Sequence, residues 1–66
     1  MDGWVKVYSS DSSIQVEIAK SILSENNIDA IDVSKRDSVY MFGEIELYVK
    51  EHDSIMAKII LTQNNL

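Results

Sequence analysis

Along Val39 to Lys50 (VYMFGEIELYVK) apolar and polar side chains alternate with the period of a strand that buries one side. Val39, Met41, Ile45, Leu47 and Val49 fall on one face, and Tyr40, Phe42, Glu44, Glu46, Tyr48 and Lys50 on the other. The pattern predicts the central strand of a sheet. Trp4 to Ser9 alternates in the same way, with Val5 and Val7 set against Trp4, Lys6 and Tyr8, and predicts a first strand. From Ile14 the period changes: Ile14, Ile18, Ala19, Ile22 and Leu23 recur at helical spacing, with Val16 widening the stripe and Glu17, Lys20, Ser21 and Ser24 opposite. Ser10 to Ser13 offers four good helix caps, and Ser12 with Gln15 has the spacing of a capping box. Asn26 and Asn27 predict the helix end, because asparagine tolerates the left-handed backbone there, with Ile28 folding back to close it.

Asp29 to Ser34 predicts a short second strand, with Ile31 and Val33 inward and Ala30, Asp32 and Ser34 outward. Lys35 to Ser38 is a polar turn of hairpin length. After the central strand, His52 or Asp53 caps a last helix, Ser54 to Gln63, and Asn64 to Leu66 are expected to fray. Strand, helix, strand, strand, helix in one unit of residues 1–66 is an α+β order. A crossover that leaves room for the third strand between the first two gives a ferredoxin-like β-α-β-β-α fold. Its antiparallel sheet has order 1-3-2, both helices lie on one face, and the outer edge of the first strand is unpaired.

Composition narrows the function. A chain of 66 residues has a thin core, and without cysteine it has neither disulfide nor thiolate metal site to staple it, which fits a reducing cytoplasm. The N-terminus lacks the basic and apolar runs of a signal peptide and no stretch is long enough for a membrane span, so no membrane partner is expected. A net charge of -5 repels phosphate backbones and disfavours nucleic acid.

All five aromatic residues, Trp4, Tyr8, Tyr40, Phe42 and Tyr48, occupy even positions of their predicted strands. That parity places them together on the helix-free face, with Lys6, Lys50, Glu44, Glu46 and Asp32 beside them. They are the candidate binding residues, since an exposed aromatic patch marks a contact surface. A homo-oligomer or protein partner is the expected occupant. The alternative is single-stranded nucleic acid or a flat small ligand stacked on the rings, for which the two lysines among three carboxylates are too few. A β-bulge at Gly43 would reverse Tyr40 and Phe42 into the core. His52 lies between Glu51 and Asp53 but has no second histidine or cysteine to complete a metal site. Asp53 reads as a helix cap and the serines as caps and turns. No catalytic residue, metal or cofactor is predicted, and the chain is not expected to be an enzyme.

Trp4-x-x-Val7-Tyr8, the run SILSENNIDA, and GEIELYVKEHD leading into MAKIIL resemble a family of prokaryotic signal-transducing proteins of unknown function. The resemblance covers nearly the whole chain, with Asn27 where the family usually has a helix-ending glycine. It implies a small ferredoxin-like domain related in fold to the PII-type nitrogen regulators, hence bacterial, cytoplasmic and oligomeric. The long loop with which PII proteins meet nucleotide has no counterpart in the Lys35–Ser38 turn.

Overall fold

The computed structural model describes residues 2–35 and 43–66. Strand β1 (Trp4–Ser10) leads to helix α1 (Ser13–Glu25), and strands β2 (Ala30–Ser34) and β3 (Ile45–Lys50) follow. A single 3-10 turn (Glu51–Asp53) then opens into helix α2 (Ser54–Gln63). The three strands pair antiparallel in the order β1-β3-β2, the ferredoxin-like arrangement the alternation predicts. Of the predicted central strand, Ile45 to Lys50 is β3, while Tyr40 and Phe42 lie outside the described residues. The backbone N–H of Lys35 donates to the carbonyl of Glu44 at 2.8 Å and continues the β2–β3 ladder by one step.

Helix starts and stops follow local chemistry. Ser12 accepts from the N–H of Gln15 through its side chain, so the forward half of the capping box forms. The N–H of Ser12 itself donates to the Ser10 hydroxyl. At the other end of α1, Asn27 has φ 61, with Asn27 N–H donating to Ser24 O and Ile28 N–H to Leu23 O. This is a Schellman cap closed by a buried isoleucine. The end of α2 repeats it: Asn65 has φ 63, its N–H donates to Thr62 O, and the N–H of Leu66 donates to Leu61 O. The expected fraying of Asn64 to Leu66 is therefore corrected, and Leu66 packs against the core instead. Asn26 and Asn64 also donate, through Nδ2, to the carbonyls of Ile22 and Ile60.

Ile45, Leu47 and Val49 of β3 form the floor of the core, and both helices cover it from the same side with Val16, Ala19, Leu23, Ala57, Ile60 and Leu61. The other face of β3 carries Glu46, Tyr48 and Lys50. Three sequence expectations are corrected here. In β1 the register slips between Lys6 and Tyr8: Lys6 pairs with Tyr48, but Tyr8 pairs with Leu47. Val7 is an extra residue, a β-bulge, and it turns Tyr8 to the helix side, where Tyr8 packs against the core. In β2, Ile31 lies opposite Tyr48 and Val33 opposite Glu46, so these two face away from the helices. Asp32, opposite Leu47, lies on the helix side at the sheet edge, and Lys20 of α1 reaches it at 2.7 Å. In α1 the buried positions are Val16, Ala19 and Leu23, whereas Ile14 is 72% and Ile18 44% exposed. The expected stripe is rotated, and Lys20 points to β2 rather than to open solvent.

Candidate functional site

The helix-free face of the sheet is built in rows. Tyr48 stands at the centre of β3 with Lys6 of β1 on one side and Ile31 of β2 on the other. Trp4 pairs with Lys50 at one end, and Ser9 and Val33 flank Glu46 at the other. Trp4, Val33, Glu46 and Tyr48 are half-buried although no described helix covers them, and close cross-strand neighbours contribute to that shielding. Of the five predicted binding residues, the structure places Trp4 and Tyr48 on this face. Tyr8 is turned to the opposite face by the bulge, and Tyr40 and Phe42 lie outside the described residues. Ile31 and Val33 take the aliphatic places that sequence reasoning assigned to the core.

A polar chain runs through the patch. Tyr48 Oη donates to Glu46 Oε1 at 2.8 Å, and Lys6 Nζ meets Glu46 Oε2 at 3.4 Å. The Tyr48 hydroxyl bond holds the Glu46 carboxyl below its ordinary range; partial burial opposes this, and Lys6 adds to it. The same bond, with burial and the charge of Glu46, raises the Tyr48 phenol. At neutral pH the pair is thus a fixed carboxylate with a phenol donor committed to it. That arrangement orients Tyr48 on the surface and leaves its proton held. Lys50 Nζ reaches Asp29 at 4.0 Å, so both lysines of the face have carboxylate partners.

The other candidate residues fall elsewhere. His52 is largely exposed on the 3-10 turn, with Nε2 3.4 Å from Asp53 Oδ2, so these two neighbours do approach one another. Asp53 makes no side-chain cap bond to α2, because its backbone is already in the right-handed helical region. Ser54 Oγ instead donates to Glu51 O. Glu44 is exposed just before β3. No group of His, Cys, Asp and Glu among the described residues has the geometry to hold a metal ion.

The carboxylates also set the pH dependence of folding. Asp32 is lowered, first by the hydrogen bond from Lys20, and Glu46 is lowered as above. A carboxyl depressed in the folded state adds stability above its unfolded pKa and loses it as pH falls through the folded value. Stability is therefore expected to decline below roughly pH 4.5. Lys20 and Tyr48 are raised, so their contribution is present below their unfolded values and is lost as pH rises above about 10. Urea titrations from acid to alkaline pH check both limbs. Asp32→Asn and Glu46→Gln should each flatten the acid limb, and an acid limb unchanged in both variants would remove these pairs from the account.

A three-stranded ferredoxin-like sheet with two helices on one face and a mixed aromatic and aliphatic patch on the other defines a small α+β domain with a second sheet face that no described element covers. The chain belongs to the prokaryotic family described as “Putative prokaryotic signal transducing protein”, whose sequence profile matches residues 4–65. No curated protein and no solved structure matches the chain. No helix among the described residues is long and apolar enough to cross a membrane.

Proposed function

We propose that the chain is a small non-enzymatic module of prokaryotic signalling that acts in the cytoplasm through protein contact. Its helix-free sheet face is taken up by a second copy of itself. The observation that carries this is the row of Trp4, Tyr48, Ile31 and Val33 on a sheet face that no described element covers. Apolar area with a rim of Lys6, Glu46 and Lys50 has the make-up of an interface centre and its polar border. The rim carries both signs of charge, so a two-fold contact can set a lysine of one copy against a glutamate of the other. The outer edge of β1, at the end of the strand order, lies beside the same patch. Stacked bases are the weaker reading, because Lys6 and Lys50 already face carboxylates.

Sedimentation equilibrium at micromolar concentration tests the proposal. A dimer is expected, and Trp4→Ala should weaken it roughly tenfold or more, as loss of a tryptophan anchor does. A monomer in both proteins would overturn it. Quenching of Trp4 fluorescence by oligonucleotides, lost at high salt, would favour the nucleic-acid reading instead.

A further inference from the structure

The outer side of α1 poses a separate question. Its inward side is met by Val16, Ala19 and Leu23, yet Ile14 and Ile18 lie on the side turned from the core, 72% and 44% exposed. Ile22, half-buried against the core, continues their line at the same four-residue spacing. Isoleucine is a poorer helix former than alanine, leucine or lysine, so helix formation does not explain three of them there. They line a shallow, largely open groove along α1 alone, with Ser21 between Ile18 and Ile22 and with Glu17 and Glu25 supplying the charge. The one lysine of α1, Lys20, is drawn away to Asp32 at 2.7 Å.

We infer that this groove receives an amphipathic helix of a protein partner whose apolar stripe is flanked by lysine or arginine. Ile14, Ile18 and Ile22 lie one helical turn apart, so an apolar stripe of the same period on a partner helix can lie along them. The charged residues lining it are both acidic, and a chain of net charge -5 draws a basic partner from a distance. A second copy seated on the same groove would set Glu17 and Glu25 against the same acids, an opposition of like charges. The groove lies on the helix side of the sheet and the proposed self-contact on the other, so the two readings stand or fall separately.

Isoleucine-methyl NMR of the whole chain tests this with two synthetic helical peptides about 18 residues long, or five turns. Both carry the same leucine stripe, one flanked by lysine and the other by glutamate. The lysine peptide should shift the Ile14, Ile18 and Ile22 methyls to saturation, and the glutamate peptide should not. The double variant Glu17→Lys, Glu25→Lys should weaken the complex roughly tenfold. Ile18→Asp should abolish it in a chain that circular dichroism shows folded, with Ile14→Ser as the second variant if Ile18→Asp unfolds. Equal binding of both peptides, shifts confined to Ile31, or no shift at millimolar peptide would each overturn the inference. Concentration-dependent broadening of Ile14 and Ile18 without peptide would overturn it in favour of a second copy.

Discussion

Leu47→Ala should lower folding stability by about 2–5 kcal/mol, the range for truncating a large buried aliphatic side chain. Leu47 is fully buried on the middle strand, between Tyr8 of β1 and Asp32 of β2 in register, under both helices. Neighbours on that many sides cannot all collapse into the space left behind, which places the cost toward the upper part of the range. A chain of this size has roughly 3–10 kcal/mol in total, so Leu47→Ala is expected to remove a large share of it. Urea denaturation followed by far-ultraviolet circular dichroism measures it. Ile14→Ala, at an exposed position of α1, is the control and should stay within about 0.5 kcal/mol of the parent. Comparable losses in both variants would mean that the inward side of α1 and the floor of the core are wrongly assigned.

The second large effect is expected at the helix ends. Asn27 and Asn65 hold positive φ, 61 and 63, in the two Schellman caps. A β-branched side chain there crowds the following carbonyl, and the left-handed conformation costs about 1–2 kcal/mol per residue. Asn27→Val with Asn65→Val should then lose about 2–4 kcal/mol if the two sites, on different helices, act independently. The glycine versions, Asn27→Gly and Asn65→Gly, should be nearly neutral, since glycine takes this conformation without a clash. Thermal melting of the four single variants decides it. Valine tolerated as well as glycine at either site would show that the helix does not end there in a left-handed residue.

What the chain made legible was whatever depends on a few consecutive residues. The Ser12 cap, the Asn26-Asn27 stop with Ile28 behind it, and the alternation that buries Ile45, Leu47 and Val49 are all visible in the order of residues. The same logic was available for Asn64-Asn65-Leu66, since Leu61 to Leu66 (LTQNNL) repeats the character of Leu23 to Ile28 (LSENNI). The side of α1 that turns inward was not legible. Ile14, Val16, Ile18, Ala19, Ile22 and Leu23 circle so much of the helix that two stripes satisfy the period. The bulge at Val7 left no mark either, because a bulge whose first residue stays near the right-handed helical region needs no glycine. The Lys20–Asp32 pair was hidden for a related reason: its members sit on different elements and meet only once β2 is in register.

By itself, then, the order of residues determined which helices and strands form and where the helices stop, because a helix end rests on hydrogen bonds between near neighbours in the chain. Only the tertiary structure decided which rings and aliphatic groups share a face. A side chain's face in a sheet depends on the register with the neighbouring strand, and a slip of one residue reverses it. One such slip, at Val7, separates Tyr8 from Trp4, and the β2–β3 register puts Ile31 and Val33 beside Tyr48 in its place.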